Sequence, residues 1–185
     1  MSRLHALERV PRAGFLLRGV AEPESVAAHS HALALLVELV CEALPDSFDS
    51  GRAVAMALLH DVQEVATMDI PMPAGDAAFK EARARAEEAI FDSLFAGLPG
   101  RARELYREYA RGETPEARLV KGLDKVQMMI RISSYQREGR GSLEEFWGNP
   151  DNFRDWELEP VRQLHREVAR RAGRKVPART QKRSR

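Results

Sequence analysis

Apolar positions along this chain recur at helical spacing. Leu4, Leu7 and Val10 mark a short first helix, which Pro11 stops. Residues Pro11–Glu24 carry two prolines and two glycines and read as a structured loop. Ser25 is a good cap for a helix over about Val26–Ala43, and its segment Ala32-Leu33-Ala34-Leu35-Leu36-Val37 is apolar on all sides. That helix is expected to be central and buried. Pro45–Ser50 is a polar turn, and Gly51 or Arg52 opens a helix containing Ala57-Leu58-Leu59-His60-Asp61-Val62-Gln63-Glu64-Val65-Ala66. Thr67–Asp76 breaks it, and Asp76 is placed to cap an amphipathic helix over about Ala77–Ala96, with Phe79, Ala86, Ile90, Phe91 and Leu94 on its apolar side. A short helix follows to about Arg111. Gly112 ends it, and Thr114-Pro115-Glu116 starts a long helix with Leu119, Leu123, Val126 and Ile130 as its core stripe. Gly141–Asp155 is turn-rich, and its Phe146, Trp147 and Phe153, closed by Trp156, are expected to cover a core edge. A last helix spans about Leu158–Arg171.

The pattern predicts an all-α protein with one domain over residues 1–171 and no repeats. Residues 172–185 include Arg174, Lys175, Arg179, Lys182, Arg183 and Arg185 without apolar periodicity, and a disordered basic tail is expected there. Few aromatics, at 6%, and much Ala, Leu, Glu and Arg favour helix in the same way. The 29 basic residues nearly cancel 28 acidic ones, so no global field draws the chain to nucleic acid or an acidic membrane. A single cysteine, Cys41, excludes an internal disulfide and fits a reducing cytoplasm. No apolar stretch reaches the roughly 18 residues of a membrane span, and the amino terminus lacks a signal-peptide core. A cytoplasmic protein is expected.

Polar residues inside apolar helices carry the chemistry. His60 and Asp61 are costly to bury unless something satisfies them, and a metal ion would satisfy both. Glu64, four residues from His60 on one helical face and three from Asp61, stands beside such an ion without being a ligand, where it can move a proton. His29 and His31 lie roughly 200° apart around their helix, so only one of them suits the same site, and periodicity does not choose. Asp124 falls among apolar neighbours on the long helix. It is either paired with Lys121 or Lys125 or bound to metal. In the loops, Arg12 and Arg18 are candidates for an anion, and Asp69 for a substrate hydroxyl. Taken together, His29, His60, Asp61 and Asp124 come from three apolar helices. Imidazole and carboxylate donors without cysteine suit one divalent Mn, Fe, Co, Ni or Zn ion.

The order of these residues resembles the HD-domain metal-dependent phosphohydrolases, and among them the small HD-domain 5′-deoxynucleotidases. The resemblance covers about residues 8–168 and rests on four pieces. These are Arg9-Val-Pro-Arg-Ala-Gly, Pro23-Glu-Ser-Val-Ala-Ala-His29, the His60-Asp61 pair continuing to Glu64 and Asp69-Ile-Pro71, and Leu119-Val-Lys-Gly-Leu-Asp124-Lys. It implies a helical bundle in which His29, His60, Asp61 and Asp124 hold the metal and Glu64 is the acid/base residue. It implies Arg12, with Arg18 as a weaker second, for the substrate 5′-phosphate, and Asp69 for the sugar 3′-hydroxyl. Members of this architecture dimerise, and the Phe146–Trp156 region is a candidate surface. The expected reaction is hydrolysis of deoxyribonucleoside 5′-monophosphates. Two departures stand out: Ala27-Ala28, where relatives often carry a polar or acidic residue that supports the histidine, and the arginine-rich end after Val176. The competing readings are HD-type hydrolysis of a triphosphate, cyclic nucleotide or alarmone, and a non-catalytic metal-bearing scaffold that binds nucleic acid through its tail.

Overall fold

The computed structural model describes residues 3–71 and 77–178, and among them no β-strand forms. A 3₁₀ turn over Leu4–Arg9 leads into a short α1 (Ala13–Leu16). The long helix α2 (Val26–Ala43) starts where the Ser25 side chain accepts the Ala28 N–H, as the capping rule requires. Just before it, Arg12 N donates to Glu24 O at 3.0 Å and Val26 N to Val10 O at 2.9 Å, which ties the Arg12 backbone to the start of α2. Next come α3 (Ser50–Leu59), capped by Asp49, a one-turn α4 (Glu64–Thr67) and α5 (Ala77–Leu94). The helix α6 (Arg101–Arg111) stops at Gly112, whose φ of 66° is a left-handed conformation that suits glycine. The helix α7 (Pro115–Arg137) is capped by Thr114 with Pro115 in its first turn, and a short α8 (Glu144–Gly148), a 3₁₀ turn at Pro150–Phe153 and α9 (Glu159–Arg171) complete the described fold.

The core is organised on α7. Leu119, Val120, Leu123 and Val126 are fully buried against Leu33, Val37, Ala53 and Met56 of α2 and α3. Each such side chain contributes about 1.5–3 kcal/mol on leaving water. On α7, Gly122 lets α9 approach, since a Cβ there would lie 2.8 Å from Val161 Cγ1. Further along, Met129, Ile132 and Tyr135 pack with Phe15, Val20, Leu143, Trp147 and Phe153.

Several expectations are corrected. The helix α2 is not buried on all sides: Leu35 and Leu39 are 54% and 61% exposed. By length and composition α2 is also long and apolar enough to cross a membrane, contrary to the expected absence of such a stretch; in this fold it is a core helix packed on α3 and α7. Ile130 is exposed, because the buried face of α7 rotates to Met128, Met129 and Ile132. Among the described side chains of α5 only Phe91 is buried, stacked on Phe95 and Tyr106, while Phe79 and Ala86 are exposed. Trp147 and Phe153, by contrast, are core residues, as expected of aromatics that cover a core edge. The expected cap at Asp76 lies outside the described residues.

Helix α3 ends at Leu59 rather than running through Glu64. The next turns close with three-residue bonds, Val62 N to Leu59 O at 3.3 Å and Glu64 N to Asp61 O at 3.0 Å. In this tighter winding residues three apart eclipse, so Glu64 aligns with Asp61 rather than with His60.

Candidate metal centre

Three elements meet at the site: the first turns of α2, the tight segment after α3, and the middle of α7. His29 is fully buried, and its Nδ1 lies 2.7 Å from Gln127 Oε1. His60 Nδ1 lies 2.8 Å from the Ala57 carbonyl, which can only accept, so that nitrogen carries the hydrogen. In the neutral ring this leaves His60 Nε2 without hydrogen, and the Nε2 atoms of both histidines are buried without a hydrogen-bond partner. They face carboxylates. His60 Nε2 is 2.9 Å from Asp61 Oδ2, and His29 Nε2 is 3.9 Å from the same oxygen and 3.1 Å from Asp124 Oδ1. One donor atom each from His29, His60 and Asp61 falls within 4.8 Å of the others. Bonds of about 2.1 Å to a shared ion separate ligand atoms by roughly 3–4 Å, so a small shift seats a cation among them. Orphaned buried nitrogens beside carboxylates fit a divalent ion, and His29, His60 and Asp61 can hold one.

The electrostatics point the same way. Burial alone would raise the Asp61 pKa, but His60, Arg12 and His29 outweigh it and hold the carboxylate ionised. Asp124 is likewise held well below the usual range, against burial, by Lys125 and the two histidines. His60 is shifted upward: burial opposes its charged form, and Asp61 and Asp124 more than compensate. Glu64 differs from all of these. Burial, with Asp61 and Asp69 nearby, pushes its carboxyl up to about 10, and its Oε2 has no hydrogen-bond partner.

Arg12 borders the centre, with Nη1 3.3 Å from Asp61 Oδ2 and 3.6 Å from Asp69 Oδ1. Asp69 Oδ2 accepts the Ala13 N–H at 2.7 Å, so this loop acid holds the start of α1 as well as the arginine. Lys125 Nζ stands 3.2 Å from Asp124 Oδ2. Tyr109 meets the His60 ring edge-on at 5.4 Å, and Lys121 Nζ lies 4.1 Å from the Tyr109 ring centre, not against Asp124. Arg18 is engaged elsewhere. Its Nε donates to Glu145 and its guanidinium lies over the Phe146 ring, so it does not join Arg12. His31 is exposed and outside the site.

Sequence reasoning missed Gln127 and Glu24. The support that Ala27-Ala28 does not provide for His29 comes from Gln127 on α7. The available signal was a polar residue three positions after Asp124, in a run otherwise apolar from Val126 to Met129.

Imidazole and carboxylate donors that converge from three elements of a helical fold define an all-α protein with a candidate metal site. Residues 4–153 match the HD domain, and the chain belongs to the HD-domain family. It is 34% identical over 152 residues to 5′-deoxynucleotidase HDDC2 of Danio rerio, covering 80% of this chain and 74% of that protein. Among solved structures it is similar to a conserved hypothetical protein from Pyrococcus furiosus, with 32% identity, a TM-score of 0.74, and coverage of 91% of this chain and 96% of that one. It is also similar to a predicted metal-dependent phosphohydrolase from Magnetospirillum magnetotacticum, at 25% identity and a TM-score of 0.63, covering 94% and 91% of the two chains.

Proposed function

We propose that this protein is a metal-dependent 5′-deoxynucleotidase that hydrolyses deoxyribonucleoside 5′-monophosphates to deoxynucleoside and phosphate. The observation carrying this reading is the pair of buried, unpartnered Nε2 atoms on His29 and His60, facing Asp61 and Asp124 with Arg12 alongside. His29, His60, Asp61 and Asp124 would hold one Mn, Fe, Co, Ni or Zn ion. Bound there, the ion would polarise the phosphoryl group and bring the pKa of water toward neutrality.

The chain's own residues supply the rest. Arg12 spends part of its five-donor fork on Asp61 and Asp69 and has donors left for phosphate oxygens. Water forms the new bond to phosphorus as the bond to the 5′-oxygen breaks. That oxygen leaves with the proton of Glu64, and the water's proton restores the carboxyl. Burial favours the protonated form of Glu64 in the metal-free site, the form such a donor requires. Asp69 keeps acceptor sites beyond its hydrogen bond from Ala13 and its ion pair with Arg12, enough for a sugar 3′-hydroxyl. Exposed Leu35 and Leu39 on α2 support a homodimer formed through that helix.

The deciding experiment is phosphate release from a panel of nucleotides, each tested with a series of divalent ions. The expected result is turnover of deoxyribonucleoside monophosphates that EDTA abolishes. No activity with any ion would overturn the reading, and pyrophosphate release would replace it with triphosphate chemistry.

A further inference from the structure

Behind His29 lies a buried polar network with no direct part in the chemistry. Gln127 is 5% exposed, and its Oε1 faces His29 Nδ1 at 2.7 Å. Its Nε2 donates to both Glu24 oxygens, at 3.1 and 3.4 Å. The Glu24 side chain is 3% exposed and also accepts from Arg131 Nε at 2.8 Å, while Glu24 N donates to Tyr135 Oη at 2.7 Å. Gln127, Arg131 and Tyr135 fall four residues apart, so one face of α7 supplies all three.

The chemistry of the network gives it a direction. An amide can flip end for end, exchanging donor for acceptor. A carboxylate only accepts, so Glu24 requires the NH₂ of Gln127 to face it, and the amide oxygen must then face the imidazole. An oxygen there requires hydrogen on His29 Nδ1, which leaves Nε2 with its lone pair toward Asp61 and Asp124. Without that acceptor the oxygen left facing Nδ1 is Glu24 Oε1, at 3.7 Å and beyond hydrogen-bond reach, and hydrogen on Nε2 would block the nitrogen that faces the cleft. We infer that Gln127 is a positioning residue for the metal centre: anchored by Glu24 and Arg131, it fixes the tautomer in which His29 can bind metal. This inference rests on His29 being a metal ligand.

Two substitutions separate this role from simple packing. Gln127→Leu removes the acceptor at similar volume. Gln127→Glu keeps an oxygen within reach of His29 but sets a second carboxylate against Glu24, so it should be the less stable variant by urea unfolding. Metal affinity should run the other way. Measured with Co(II) against a fluorescent chelator and no nucleotide, Gln127→Leu is expected to lose about 10- to 100-fold. Gln127→Glu should keep most of its affinity. In the metal-free wild type, ¹⁵N shifts should show His29 protonated at Nδ1, and the leucine variant should move that hydrogen to Nε2. Affinity that follows stability, or a neutral wild-type His29 with its hydrogen on Nε2, would overturn the inference. The tautomer measurement decides even where a variant does not fold. His29→Ala with undiminished Co(II) affinity would instead refute the assignment of His29 as a ligand.

Discussion

His165 offers a test of the packing argument far from the metal centre. It sits on α9, 2% exposed, with its ring centroid 5.4 Å from that of Phe153 and neither nitrogen hydrogen-bonded. Burial lowers its pKa from 6.5 to about 4, and the nearby Arg154 backbone and Asp155 only partly offset this. The unfolded chain therefore takes up a proton between about pH 6.5 and 4 while the folded chain does not, and in that window stability must rise with pH. The full stabilisation is present above pH 6.5 and is lost as pH falls toward 4. At roughly 1.4 kcal/mol per pH unit, acidification from about pH 7.5 to 4.5 costs about 2.5 kcal/mol through this one group. With a urea slope of about 2 kcal/mol/M, that is a midpoint shift of roughly 1 M. Acid-sensitive carboxylates add their own losses, so the quantity to measure is the difference between wild type and His165→Leu in urea titrations across that range. The variant should be at least as stable near neutrality, because an apolar side chain replaces two unsatisfied nitrogens. It should also lack the 2.5 kcal/mol component on acidification. Parallel pH profiles for the two proteins would show that His165 is hydrated or paired in solution and would refute the reasoning.

Glu64→Gln should keep Co(II) affinity and lose about 10²- to 10⁴-fold in kcat, the usual range for one general acid–base group; unchanged turnover removes Glu64 from the mechanism. Gly122→Ala gains about 1 kcal/mol of helix propensity but drives a Cβ to 2.8 Å from Val161 Cγ1, so a net loss of about 1–2 kcal/mol is expected by thermal unfolding. Adding Val161→Ala should make the same glycine replacement favourable, and an unrelieved loss would mean that the α7–α9 contact is not the cause. Deleting residues 172–185 should leave kcat/KM for the nucleotide unchanged, whereas a large loss would place the basic end in the substrate path.

Local capping chemistry made much of the fold legible. Ser25, Thr114 and Gly112 each mark a helix end because one side chain, or the lack of one, settles the backbone there. Periodicity identified apolar stripes but not what covers them, which is why Leu35, Leu39 and Ile130 were expected inside and are found at the surface. The break after Leu59 was not legible at all. Nothing in Leu59-His60-Asp61-Val62 opposes a continued helix, and the tight winding there accompanies the convergence of Asp61 and Glu64 on a site built with α2 and α7. Polar residues in apolar helices announced the metal centre itself. Gln127 escaped notice because its partners, Glu24 and His29, are about a hundred positions away in sequence, and a hydrogen bond of that kind has no period.

The hydrogen bond and the ion pair of Asp69 bear on how a nucleotide is read. One oxygen holds the Ala13 N–H and the other the Arg12 guanidinium, while Pro71 packs 3.8 Å from where a Gly14 side chain would begin. The group proposed to read the sugar and the group proposed to grip the phosphate are thus in direct contact. Sugar and phosphate recognition should not be thermodynamically independent. Truncating Asp69 should weaken phosphate binding even in a substrate lacking its 3′-hydroxyl, and a double-mutant cycle between Asp69 and Arg12 should return a coupling energy well above zero.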